Sequence, residues 1–148
     1  MEDITKEFQG NFGFGCMRLP MKDGQVDTNE FSRMIDGYLN AGFCYFDTAH
    51  GYLEGKSETA LRECLVQRYP RDRYFLTDKL SGSFLSTPDD VVPLFENQLA
   101  ACGVDYFDLY LMHSQSAQVF EKFQKLHCYE TVLQLKRQGK LRHFGISF

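Results

Sequence analysis

The sequence contains no run of about 18 uncharged apolar residues, so nothing in it is suited to cross a bilayer as a helix. It also lacks the basic then apolar leader of a secretory signal. Its opening, MEDITKEFQG, is acidic and polar, and the expectation is a soluble, cytoplasmic protein. Lys and Arg number 16 against 20 Asp and Glu, for a net charge of −4. With no basic stripe to neutralise phosphates, nucleic acid is not an expected partner. No C-x-x-C pair occurs among Cys16, Cys44, Cys64, Cys102 and Cys128. An odd set of widely spaced cysteines reads as reduced, mostly buried thiols, with no metal site expected. Solenoid repeats, low-complexity tracts and linker-like segments are absent too, which leaves a single domain over 1–148.

What is present is apolar. Hydrophobic residues make up 43% of the 148, with 14 phenylalanines. That is too apolar for a disordered chain and enough for one substantial core. NFGFGCM, FCYFDTA, RYFLTDK, YFDLYLMH and RHFGISF each read as a strand buried on both faces. Between them lie segments with helical spacing: NEFSRMIDGYLNAG, GKSETALRECLVQRY, the region from Thr87 to Gly103, and a stretch ending in YETVLQLKRQGK. Phe31, Met34, Ile35, Tyr38 and Leu39 share one face of the first helix, and Gly42 supplies its left-handed stop. Ser57 is the expected cap of the second, whose buried stripe is Leu61, Cys64 and Leu65. Thr87-Pro88 starts the third and Gly103 ends it, but Pro93 demands a later start or a kink. Gly139 closes the fourth.

Strict alternation of about five strands with four helices implies right-handed crossovers and a parallel α/β sheet. An open doubly wound sheet and a (β/α)8 barrel both satisfy the pattern. Gly13-Phe14-Gly15-Cys16-Met17-Arg18 lacks the third glycine of a dinucleotide-binding turn, and a polar loop, MKDGQVDTNE, separates it from the first helix.

Parallel α/β folds place their chemistry at the carboxyl ends of the strands. Asp47 ends the second strand, Lys79 the third, His113 the fourth and Ser147 the fifth, with Tyr52 in the loop after Asp47. Singly, each has an ordinary explanation as a turn residue, a solvated strand end or a satisfied core histidine. Their arrival at consecutive strand ends suggests one task. A phenol whose ordinary pKa is about 10 is a poor acid near neutrality, and an adjacent ammonium favours its anion, so Lys79 would activate Tyr52. Asp47 would keep that buried lysine charged, and His113 would hold a carbonyl oxygen nearby. The set suits protonation of an alkoxide. It lacks a hydride donor, which a reduced nicotinamide would have to bring.

With these residues in view, the chain resembles the aldo-keto reductases, (β/α)8 TIM barrels that reduce aldehydes and ketones with NADPH. The likeness runs through GFGCMRLP, FDTAHGYLEGKSE, FLTDK, LFENQLAACGVDYFDLYLMH and LKRQGKLRHFGIS, in order and at the family's spacing. It implies a catalytic tetrad of Asp47, Tyr52, Lys79 and His113, with Tyr52 as general acid. It further implies cofactor contacts from Gly15, Cys16, Met17 and Asp47, and from Ser147 to the nicotinamide carboxamide. The fifth strand ends in GISF where many members have GxSN. Phe148 is instead similar to a branch with a carboxyl-terminal iron-sulfur module, although no cluster-binding cysteines are present. A whole barrel takes about 250 residues, so the resemblance implies an incomplete domain: the amino-terminal part, truncated after its fifth strand, with the family's amino-terminal hairpin shortened. Strands six to eight and the loops that commonly bind phosphate would be missing. An exposed fifth-strand edge then invites self-association.

Two functions follow. One is carbonyl reduction of a small substrate with NADPH. The other is a catalytically inactive fragment serving as scaffold or regulatory partner. A barrel fragment of unrelated chemistry would leave the spacing of four residues to chance.

Overall fold

Phe14–Gly15 (β1), Tyr45–Asp47 (β4), Phe75–Leu80 (β5), Phe107–Met112 (β6) and Leu141–Ile146 (β7) form one parallel sheet in the order β1-β4-β5-β6-β7 in a computed structural model of the chain. The structure describes residues 4–8 and 10–148. The readings of MEDITKEFQG rest partly on residues 1–3 and 9, outside the described residues; Ile4–Glu7 form a 3-10 turn.

All six residues of β5 are buried, as the run FLTDKL requires of a strand covered on both faces. β7 differs: only Leu141 is buried, because this strand has a neighbour on one side alone. Tyr45 and Phe75 stack on one face of the sheet at 5.4 Å, and Phe75 stacks on His143 at 6.3 Å. The other face carries Phe46, Leu76, Leu80 and Tyr110 against the helices. Each such apolar side chain contributes roughly 1.5–3 kcal/mol on burial.

Helix α1 (Thr28–Asn40) starts at Asp27, whose carboxylate accepts from the Glu30 N–H at 3.0 Å. Phe31, Ile35, Tyr38 and Leu39 are buried as expected, while Met34 stays 42% exposed. Helix α2 (Lys56–Leu61) runs on through a π-turn, Arg62–Val66, that keeps Cys64 and Leu65 inward. Its cap is Gly55 in the left-handed region, not Ser57, which lies inside the helix with its hydroxyl bonded elsewhere. The Pro93 conflict resolves by a late start. Thr87 caps a 3-10 turn over Pro88–Asp90, and α3 (Val91–Cys102) begins after it, so Pro93 falls in the first turn, where no N–H is needed. Gly42, Gly103 and Gly139 take the expected left-handed conformation.

Two elements were not expected. Met21–Lys22 (β2) and Gln25–Val26 (β3) form an antiparallel hairpin inside the supposed polar loop. Its turn is Asp23-Gly24 with both φ positive, the usual two-residue hairpin signal. A further helix, α4 (Ala117–Lys125), precedes α5 (Cys128–Arg137), the helix expected at YETVLQLKRQ, and His127 breaks them apart at φ 51°. The five cysteines are free thiols, four buried and Cys44 partly so. No helix among the described residues is long and apolar enough to cross a membrane.

Candidate active site

Strand alternation decides what faces the site. Lys79 and Asp78 are neighbours on β5, so they point to opposite faces. Lys79 meets Asp47 and Tyr52, while Asp78 meets Gln98 of α3. Lys79 is 5% exposed, and its ammonium donates to Asp47 Oδ1 at 2.5 Å, to the Thr48 carbonyl at 2.8 Å and to the Tyr52 hydroxyl at 3.3 Å. An ammonium has three N–H bonds, and all three have acceptors. Because the Tyr52 oxygen accepts from Lys79, its own proton is left for another group. The same ammonium sits 4.9 Å from the Tyr52 ring centroid.

His113 follows β6, with its N–H on the Leu80 carbonyl. Its ring lies edge-on to Tyr52, centroids 5.9 Å apart. Burial, reinforced by the Lys79 charge, holds its pKa below the ordinary histidine value, although Asp47 pulls the other way. The imidazole is therefore neutral at pH 7, with one N–H to give. Ser81, just after β5, places its hydroxyl 2.7 Å from His113 Nδ1. Tyr52, Ser81, Phe84, His113, Val119 and Lys122 line a cavity of about 670 Å3, completed by Gly51, Gly82, Ser83 and Ser114.

Gly15 pairs with Asp47 in register, and a Cβ placed on it would meet nothing within 4 Å. Cys16 is buried, its N–H on the Asp47 carbonyl and its own carbonyl accepting from Ser57. Met17 is 53% exposed. Ser147 caps the far end of the row: its N–H bonds Met112, and its hydroxyl oxygen accepts from the Ser114 N–H at 3.1 Å. Thus Asp47, Tyr52, Lys79 and His113 cluster, Gly15 and Cys16 join them through Asp47, and Ser147 stands beyond His113.

Sequence reading passed over Ser81 and a second polar group behind the sheet, comprising His50, Glu58, Asp78 and Gln98. A signal for the latter existed: an acid inside the apolar run FLTDKL, and Gln98 on the apolar side of its helix.

Residues 11–148 match the family described as "Aldo/keto reductase family". An aldo-keto reductase of Mycolicibacterium smegmatis is 30% identical over 135 residues, covering 91% of this chain and 44% of its own length. A probable NAD(P)H-dependent D-xylose reductase of Aspergillus terreus is 39% identical over 114 residues, 74% of this chain and 34% of that protein. The crystal structure of a Klebsiella pneumoniae aldo-keto reductase in complex with NADPH superposes with a TM-score of 0.72 at 24% identity, covering 92% of this chain and 44% of that one. The fold is accordingly part of a TIM barrel, and the chain spans under half the length of these relatives.

Proposed function

The chain belongs to the aldo/keto reductase family, and from that footing we propose that it is the amino-terminal half of a barrel that reduces a small aldehyde or ketone to an alcohol with NADPH. Tyr52 is the general acid. Lys79 donates to the Tyr52 oxygen and stabilises the phenolate as the proton leaves, and Asp47 keeps Lys79 charged inside the protein. His113, neutral, gives its N–H to the carbonyl oxygen. A Ser81 hydroxyl that donates to Nδ1 leaves Nε2 as the protonated nitrogen, so Ser81 is a positioning residue for His113.

What carries this reading is the single cluster in which one ammonium touches both the carboxylate and the phenol. The cofactor assignment is supported by the A. terreus relative, whose name gives NAD(P)H dependence, and by the NADPH bound in the K. pneumoniae enzyme. When bound, NADPH supplies the hydride that no side chain can. Open space over Gly15 and the exposed Met17 side chain suit a planar ring beside Asp47. Cys16 serves by its backbone, tying this turn to Asp47 and Ser57. The Ser147 hydroxyl keeps its proton to donate to a carboxamide.

A second reading is a catalytically silent partner chain, with β7, where Ile146 is exposed, as the strand it would offer. Such an edge supports self-association or pairing with further strands. Nicotinamide fluorescence on titrating NADPH into the purified chain, with turnover of a generic aldehyde by wild type and Tyr52→Phe, separates the two. Saturable binding with Tyr52-dependent oxidation supports the enzyme. A folded chain that binds no NADPH supports the partner.

A further inference from the structure

Behind Lys79, on the helix side of β5, four polar residues are buried without access to water: Asp78 and Gln98 at 0%, Glu58 at 1% and Tyr110 at 0%. Asp78 Oδ1 accepts from the Lys79 backbone N–H at 2.7 Å and from Gln98 Nε2 at 2.9 Å. Gln98 Nε2 also reaches the Lys79 carbonyl at 3.0 Å, and its Oε1 accepts from the Tyr110 hydroxyl. Glu58 is buried beside Asp78, close enough for each carboxyl to act on the other. On its other side, Glu58 meets His50 Nδ1 with both oxygens, at 3.0 and 3.2 Å. The contacts thus run from the outer helix layer to His50, which stands two residues before Tyr52.

Two neighbouring carboxyl groups out of water do not both ionise readily. Burial foremost raises both: Glu58 to about 7, and Asp78 well above its usual range with the Glu58 charge adding to the effect. Lys79 is the cation that opposes this at Asp78. The remaining titratable neighbours do not supply charge. Cys102 on α3, 3.9 Å from Asp78 Oδ2, and Tyr110 on β6 are pushed upward by burial and by these acids, and Cys16 after β1 by burial and then by Asp47. On the loop side the titratable group that faces Glu58 is His50.

The loop itself needs a tie. Leu53 and Glu54 both take left-handed backbone angles, φ 52° and 60°, unusual for consecutive residues with side chains. We propose that Asp78 and Glu58 hold one proton between them at neutral pH, and that Glu58 and His50 act as positioning residues for the loop that carries Tyr52. The second half of this proposal rests on the reading of Tyr52 as the acid; the first does not.

The shared proton has an infrared signature. Wild-type protein at neutral pH shows one buried carboxylic-acid carbonyl stretch, assigned with 13C-labelled Asp and Glu. Asp78→Asn and Glu58→Gln each leave one buried acid, whose band and titration midpoint move because the partner is gone while burial stays. Two independent acids would each leave the other's band and midpoint where they were, and that result, or no band in the wild type, overturns the shared proton. Labelling the wild type needs no variant to fold. For the loop, Tyr52 ring resonances in wild type shift with the Glu58 titration, and in His50→Gln they do not. Where turnover is measurable, His50→Gln and Glu58→Gln lower kcat by about 10- to 100-fold, and they remove the limb near pH 7 from its pH profile, with KM little changed. Ring shifts without turnover would sink the reductase reading and, with it, the positioning role in catalysis, and leave the shared proton standing. Tyr52 resonances indifferent to the Glu58 titration in folded wild type overturn the positioning role.

Discussion

The Lys79 ammonium donates to the Tyr52 hydroxyl at 3.3 Å, and among the described residues no other side chain hydrogen-bonds that oxygen. Removing the hydroxyl should therefore leave the fold intact and abolish proton donation. Tyr52→Phe is expected to melt within a degree or two of wild type while losing roughly 10²- to 10⁴-fold in NADPH-dependent aldehyde reduction. Lys79→Met should lose as much activity and also some stability, since it leaves Asp47 without its ion pair. Turnover by Tyr52→Phe at the wild-type rate would remove Tyr52 from the chemistry.

His113 should make the site acid-sensitive. Its pKa is held below 6.5 by burial and then by Lys79. Below pH 6.5 the unfolded chain takes up a proton that the folded site resists, so this contribution is present above 6.5 and fades as pH falls through the folded value. An NMR titration of His113 is expected to give a midpoint below 6.5 that rises in Lys79→Met. Ser81→Ala should lower kcat/KM by altering the tautomer rather than the charge.

The acid pair predicts the opposite slope. The protonated form of Glu58 is favoured in the folded state, so its stabilising contribution is full below about 4.5 and is lost as pH rises through about 7. Melting curves from pH 5 to 8 should show this alkaline loss in wild type and a flatter response in Glu58→Gln. An unchanged slope in a folded Glu58→Gln chain would assign the loss to other groups.

Asp108, 1% exposed, pairs with Arg71 at 2.5 Å and Arg142 at 3.2 Å and accepts from the Leu76 N–H at 2.8 Å. Arg71 is further packed over Tyr74 and Tyr106, at 4.8 and 4.1 Å from their ring centres. Asp108→Ala strips this cluster of its only buried anion, and denaturant unfolding should show a loss of roughly 3–5 kcal/mol. A loss below 1 kcal/mol would mean that water replaces the carboxylate.

Gly103 ends α3 at φ 72°, and a Cβ there would lie 3.0 Å from Arg62 Cγ. Gly103→Ala is expected to cost about 1–2 kcal/mol from the left-handed backbone alone. Thermal unfolding of that variant beside Gly24→Ala, at a left-handed position with open space around it, would separate strain from crowding.

Periodicity made most of the fold legible. The apolar runs became strands in the expected order, and Phe31, Ile35 and Leu65 became core because helical spacing needs little context. The β2–β3 hairpin escaped because its strands are two residues long, too short to alternate, although Asp23-Gly24 announced the turn. Helix α4 escaped because it is only nine residues long and buries only Phe123, so its apolar spacing merged with that of the helix after it. At the site, the strand ends were visible as positions, but contacts were not. That Ser81 meets His113, or that Glu58 reaches both Asp78 and His50, depends on side chains from separate elements converging through the sheet, which no local spacing encodes.

The order of strands in the five-stranded sheet is also their order in the chain, so each of its strands after β1 lies against the strand of that sheet translated before it. A polypeptide leaving the ribosome can accrete this fold one strand and one helix at a time, never waiting for a distant partner to complete an inner strand. The growth front is always the newest strand. β7 occupies that front here, and its exposed Ile146 marks where the next layer of chain, from this molecule or another, would be laid down.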